Sequence, residues 1–200
     1  MYKLIVTDPS PLITLAVANE LDVLLRAGVP VDIPDAVYIE ATRVRTAPGA
    51  NQIGAWINDH SDRVRIVPTE TGIDQQRRLE EGRVIRGMGE RASIEALDIF
   101  LAKNPDARAL LLFEDSDILK RRAIVDEQVS LISTGDFLRE LQAAHLIQSA
   151  EHILDEAARS GRNVERQRDP ASDPASDPDV RDALRRQLQS SNRREPGKQG

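Results

Sequence analysis

Four acidic residues that are far apart in the sequence are the best candidates for chemistry: Asp8, Glu40, Glu90 and Asp115. Asp8 and Asp115 each follow a short apolar run, and Glu90 follows two closely spaced glycines at the start of a predicted helix. Ligands of a parallel α/β sheet bind outside the carboxyl ends of its strands, so carboxylates delivered to that edge converge. Converging carboxylates repel one another unless a divalent cation compensates them. The pattern therefore predicts a Mg²⁺ or Mn²⁺ site that acts on a phosphodiester.

Each of these acids also has a simpler explanation. Asp8 precedes a proline and could be a turn residue. Glu40 alone would be a solvated helix residue, and Glu90 is favoured by the helix dipole whatever its function. Asp115 and the nearby Asp117 could act only as helix N-caps. Because all four positions also fit one site, we favour a shared site over four separate explanations.

Five short apolar segments predict buried strands, at residues 3–7, 29–33, 64–67, 109–113 and 129–132. Helical patterns lie between them, the longest at 71–86 and 90–102, and a last one covers 150–159. Strands that alternate with helices indicate an α/β fold with right-handed crossovers. We expect a five-stranded parallel sheet flanked by helices, with Rossmann-like layering.

The character of the chain changes after about Gly161. Residues 169–178 form a short Asp-Pro-Ala-Ser repeat, in which a proline every four residues forbids a continuous helix. We therefore expect one domain over residues 1–160 and a disordered polar tail over 161–200. At most a transient helix is expected in that tail, over 180–189.

Composition narrows the class of protein. The chain has 200 residues and no cysteine, which excludes disulfides, thiolate catalysis and cysteine-ligated zinc and is compatible with a reducing cytoplasm. No apolar stretch approaches the roughly 20 residues of a membrane span, and the first residues lack a signal-peptide pattern. The net charge of -6 argues against a general nucleic-acid coat, which is usually basic. Divalent cations at the site would offset its carboxylates, and nearby arginines could still steer phosphate.

The order of motifs resembles that of a known family. The sequences are DPS at 8–10, IPDAVYIE at 33–40, GERA at 89–92 and LLFEDSD at 111–117. This order and spacing is similar to that of a PIN domain, the nuclease module of VapC-type bacterial toxins. The chain looks closest to the small prokaryotic branch that carries a Gly-Glu pair before the third acidic helix. The resemblance covers residues 1–147.

The resemblance implies roles for individual residues. Asp8, Glu40, Glu90 and Asp115 would be the catalytic, metal-binding quartet, with Asp117 as a supporting metal ligand, and Ser10 would orient Asp8. Glu114 and Asp115 stand where many relatives have two aspartates, so either could be the fourth ligand. The Asp-x-Asp spacing with Asp117 favours Asp115.

The resemblance also implies an activity, a cofactor and partners. The activity would be Mg²⁺- or Mn²⁺-dependent endoribonuclease cleavage, in a toxin silenced by a co-expressed antitoxin and acting as a homodimer. The sequence itself adds only an apolar pair of helices, from Leu12 to Leu25, as support for the homodimer. RNA would be held by arginines that follow the acids, because a guanidinium fork matches phosphate. The candidates are Arg43, Arg91, Arg121 and Arg122.

Two other functions stay open at the level of sequence. The chain could be a catalytically silent PIN-like module that binds a protein or RNA partner through the same groove. It could also be a phosphatase-like hydrolase with Asp8 as the nucleophile. That class expects an aspartate two residues later, where this chain has Ser10.

Overall fold

The computed structural model describes residues 1–85, 87–114, 126–165 and 178–192. Five parallel strands form one sheet in the order β3-β2-β1-β4-β5. The strands are β1 (Tyr2–Thr7), β2 (Val31–Pro34), β3 (Val64–Val67), β4 (Arg108–Phe113) and β5 (Val129–Ser133). The predicted five-stranded parallel α/β sheet is thus confirmed, and each strand lies within about two residues of its predicted position.

Helices connect and flank the strands. They are α1 (Pro9–Val17), α2 (Asp35–Thr42), α3 (Ala50–Asp59), α4 (Glu70–Glu80), α5 (Met88–Lys103), α6 (Thr134–Ala143), α7 (Ala150–Arg159) and α8 (Pro178–Asn192), with a short 3₁₀ helix at Leu21–Ala27. Helix α3 was not predicted. Helix α4 ends at Glu80 rather than 86, and Gly82 beyond it has a φ of 73°, a left-handed conformation that suits a residue without a β-carbon. None of the helices in these described ranges is long and apolar enough to span a membrane.

The sheet buries apolar side chains on both faces, as expected for parallel strands. Along β1, Ile5 joins the larger core cluster, which includes residues of α1, α3, α6, α7 and α8. Its neighbours Leu4 and Val6 point to the opposite face and pack with Leu97 of α5. The two faces together fix the position of β1 at the centre of the sheet.

The apolar segment from Leu12 to Leu25 belongs to this core. Leu12, Leu15 and Leu24 are fully buried within the one chain. They are therefore no evidence for a dimer surface, and the homodimer stays a prediction from the resemblance.

Helix α8 is longer and more firmly placed than the transient helix expected at 180–189. Val180, Leu184 and Leu188 recur at four-residue intervals and are buried in the larger cluster, near Phe137 and Leu141 of α6. Most residues of this segment are polar, so the apolar stripe along one face of the helix was not recognised from the sequence. Residues 166–177, which hold most of the repeat, lie outside the described residues, and the division into a domain at 1–160 and a tail stays a prediction.

Charged and polar contacts fasten α8 to the rest of the fold. Arg185 forms two bonds to Glu140 of α6, at 2.7 and 2.8 Å, and the Glu140 side chain is almost fully buried. Four residues earlier on both helices, Arg181 lies 3.7 Å from Asp136. The equal spacing shows that α6 and α8 run in the same direction. Gln187 bonds to both the N–H and the carbonyl of Tyr2, at 2.6 and 3.1 Å, and so ties α8 to the start of β1.

We predict that Arg185→Met lowers the free energy of unfolding by about 1–3 kcal/mol. The substitution removes the half-exposed cation that pairs with Glu140 and leaves the buried carboxylate of Glu140 uncompensated. The measurement is equilibrium urea unfolding. Arg186→Met is the matched control, since the neighbouring Arg186 is exposed, and it should change stability by less than about 0.5 kcal/mol. Equal effects of the two substitutions would contradict the docking of α8.

Candidate functional site

The neighbouring strands β1 and β4 bring Asp8, which follows β1, next to the end of β4, which precedes Glu114. The N–H of Asp8 donates to the carbonyl of Leu112 at 3.1 Å, and Asp8 is 5% exposed. Asp8 occupies the N-cap position of α1, and Pro9 takes the first helical position. Proline suits that position because its missing N–H has no partner in the first turn anyway. Ser10 therefore lies inside the first turn, two residues beyond Asp8.

Glu40 contacts the start of α5. Its Oε1 accepts a hydrogen bond from the backbone N–H of Gly89 at 3.0 Å and a second one from Nε2 of Gln75 at 3.4 Å. A β-carbon at Gly89 would lie 2.6 Å from Cγ of Pro9 and 3.2 Å from Oε2 of Glu40. The segments that carry Asp8, Glu40 and Glu90 thus meet at Gly89, and the missing side chain of this glycine is what lets them meet.

Glu90 follows Gly89 in the first turn of α5 and is half-buried. Its position beside Gly89 brings a third acidic residue to the same edge of the sheet. The fourth predicted ligand, Asp115, lies outside the described residues, as do Asp117, Arg121 and Arg122. Among the residues that are described, no group of three or more histidine or acidic side chains is arranged to hold a metal ion. The metal-binding quartet accordingly stays a prediction.

Glu114, the alternative fourth ligand, is held in a buried network. Its carboxylate accepts from the hydroxyl of Thr134 at 2.9 Å and from that of Thr14 at 3.1 Å, and it lies 3.3 Å from Nη2 of Arg162. Burial raises the pKa of the Glu114 carboxyl, while Arg162 and the two hydroxyls act in the opposite direction. Because both oxygens are engaged by the protein, Glu114 holds β4, α1 and α6 together and is a poor candidate for the fourth ligand.

The described candidates for RNA binding are accessible. Arg43 follows the C-terminus of α2 and Arg91 lies in the first turn of α5, and both are exposed. Neither forms an ion pair with the described residues, so both guanidinium groups are available to an anion. Ser10 makes a backbone contact, its carbonyl accepting from Arg162 at 3.3 Å, while its predicted role of orienting Asp8 stays untested.

Sequence reasoning missed two residues that contact this edge of the sheet. Gln75 lies within the predicted helix at 71–86 and was not considered for the site, yet it is 4% exposed. A signal existed, because Thr71, Gly72 and Gln75 share one face of α4, but polar residue types do not identify a buried face. Arg162 lies in the segment that was expected to be a tail, and no local pattern connects it to Glu114.

We predict that Gly89→Ala lowers the free energy of unfolding by about 1–3 kcal/mol, because the new methyl group overpacks the contact with Pro9 and Glu40. Gly54→Ala in α3 is the control, since its β-carbon would meet nothing closer than the Tyr38 hydroxyl at 4.0 Å. That change should stabilise the protein by about 0.5–1 kcal/mol through helix propensity. Urea unfolding of both variants measures the difference, and a neutral Gly89→Ala would refute the close approach.

We also predict a pH-dependent effect of Glu114→Gln. The raised pKa means that the folded state binds the Glu114 proton more tightly than the unfolded state does, so this group costs stability as pH rises above the ordinary value of 4.5. Glutamine removes that cost, so the stability of Glu114→Gln relative to the native protein should increase as pH rises from 4.5.

Urea unfolding in EDTA between pH 4 and pH 8 tests this expectation. Glu127→Gln serves as the control, since it makes the same chemical change at an exposed position. A relative stability of Glu114→Gln that falls with rising pH would show that ion pairing, rather than burial, dominates at Glu114.

Comparison with known proteins identifies the family. Residues 4–168 match a family model described as a PIN domain. No curated protein and no solved structure matches the chain. The matched range begins within β1 and contains the other four strands, the helices from α1 to α7 and each of the candidate acidic residues. The chain therefore belongs to the PIN-domain family, whose fold is that of a nuclease.

Proposed function

We propose that this protein is a Mg²⁺- or Mn²⁺-dependent endoribonuclease. Asp8, Glu40, Glu90 and Asp115 would bind the cation, with Asp117 in support. The observation that carries the proposal is the contact at Gly89, which joins the backbone of α5 to Glu40 and to Pro9. Membership of the PIN-domain family supports the nuclease class.

The charge on Glu40 fits a cation at this place. Within the described ranges its carboxylate accepts only from the neutral groups of Gly89 and Gln75 and forms no ion pair. Both bonds go to Oε1, so Oε2 is left for an outside partner. Mg²⁺ prefers carboxylate oxygen and usually keeps several waters, and Mn²⁺ suits the same donors. When bound, such an ion polarises the phosphoryl oxygen and makes a water more acidic.

The side chains of this protein then have distinct tasks. Arg43 and Arg91 bind phosphates of the RNA backbone next to the acidic edge, with Arg121 and Arg122 as the further cationic groups. Glu114 keeps the segment before Asp115 in place through its two threonine hydroxyls. In biological terms, the enzyme would be the toxin of a toxin–antitoxin pair in the cytoplasm, silenced by an antitoxin protein.

A second candidate is a silent PIN-like module that binds a protein or RNA partner. The hydrogen bonds of buried Glu114 favour the silent module, since they engage a carboxylate that could otherwise bind a cation. The nuclease remains our first proposal because the chain belongs to the PIN-domain family.

We predict that the purified protein cuts a structured RNA pool with Mg²⁺ or Mn²⁺ and not with EDTA. Asp8→Asn and Glu40→Gln should lose more than about 100-fold in rate, the upper end of losses seen when partners outside a metal's ligand shell are removed. Glu80→Gln, which changes an exposed residue at the end of α4, should cut like the native protein.

Two outcomes would contradict the proposal. Cleavage that persists in EDTA would exclude the cation. An absence of cleavage in every condition, together with no Mn²⁺ binding in calorimetry, would favour the silent module.

A further inference from the structure

Gln75 is buried in the middle of α4 although nothing about a surface helix requires a buried amide. Its side chain reaches Oε1 of Glu40 through Nε2, at 3.4 Å. The other end of the amide, Oε1 of Gln75, is buried and has no hydrogen-bond partner among the described residues. Nε2 must be the atom that faces Glu40, because a carboxylate accepts hydrogen bonds and would repel the amide oxygen.

An unpaired buried amide oxygen lowers the stability of a fold. An apolar side chain of the same length would fill the space without that cost. The position therefore carries a polar group at the expense of stability. Unsatisfied buried groups in native proteins often mark functional sites, where a residue is kept for its role rather than for its packing.

We propose that Gln75 is a positioning residue for the cation site, acting through Glu40. The inference rests on the proposed function, in which Glu40 binds the cation. Gln75 and the N–H of Gly89 both hold Oε1 of Glu40, and two donors on one oxygen fix the plane of the carboxylate. The carboxylate then holds Oε2 in one orientation, and binding a cation does not have to order a rotating side chain.

The geometry separates this role from a purely structural one. A residue kept for packing or for hydrogen bonding makes the fold less stable when it is removed. Gln75 is expected to show the opposite combination. Its replacement by a matching apolar side chain should leave the fold as stable or more stable and should weaken cation binding.

The test compares Gln75→Met with Gln76→Met. Gln76 is the next residue on the same helix and is exposed, so its replacement makes the same chemical change at a position whose amide does not contact Glu40. Two quantities are measured on the full chain: the Kd for Mn²⁺ by calorimetry, and the Tm in EDTA, where no cation contributes. For Gln75→Met we expect Mn²⁺ binding about tenfold weaker, the lower end for partners that orient a metal ligand. We expect its Tm to be unchanged or about 2–4 °C higher.

Three results would overturn the inference. Equal Mn²⁺ affinities for Gln75→Met and Gln76→Met would remove Gln75 from the site while leaving the proposed nuclease intact. Weaker Mn²⁺ binding together with a lower Tm would make Gln75 a structural residue. If the native protein binds no Mn²⁺ and cuts no RNA, the proposed function fails and the inference fails with it. Circular dichroism of both variants confirms that each is folded before either quantity is compared.

Discussion

The close approach of Gly89 to Glu40 and Pro9 is the contact on which the rest of the candidate site depends. A hydrogen bond stabilises this contact: Glu40 accepts from the N–H of Gly89, one of the donors at the start of α5 that has no partner within the helix. Position 89 requires glycine, because a β-carbon there would lie 2.6 Å from Pro9. The positive end of α5 thereby faces the carboxylate of Glu40, which a helix dipole favours. One backbone group joins three segments that are far apart along the chain.

The strands and most of the helices could be predicted from the sequence because their signal is local. Short runs rich in Ile, Val and Leu between turn residues indicate buried strands, and five such runs gave the sheet. Helix α3 was missed because its residues 50–59 mix apolar Ile53 and Trp56 with polar residues and a glycine. Helix α8 was underestimated for the converse reason, since its many charged residues hide three buried apolar ones. In both helices the burial is decided by what packs against them, which a local pattern does not contain.

The candidate site was predictable in its residue types and less so in their environment. The order of motifs identified the acidic residues, and strand topology explains why Asp8 and Glu40 lie at one edge. Spacing favoured Asp115 over Glu114, but it could not predict that Glu114 is held by Thr14, Thr134 and Arg162, which come from three distant segments. The burial of Gln75 could not be predicted either, because glutamine is usually exposed. Local sequence thus predicts which residues can bind a cation, while packing decides which of them are free to do so.

The position of helix α8 at the C-terminal side of the fold determines when it can dock during synthesis. It lies outside the range of the family model, and its contact with Tyr2 closes a separation of 185 residues. Contacts between residues so far apart form slowly, and chains fold from the N-terminal side as they leave the ribosome. The residues of the sheet and of α6 are synthesised before those of α8, so the carboxylates of Asp136 and Glu140 lack their α8 partners at that stage. The surface that α8 covers is therefore open to other molecules during an interval of synthesis and closed to them afterwards.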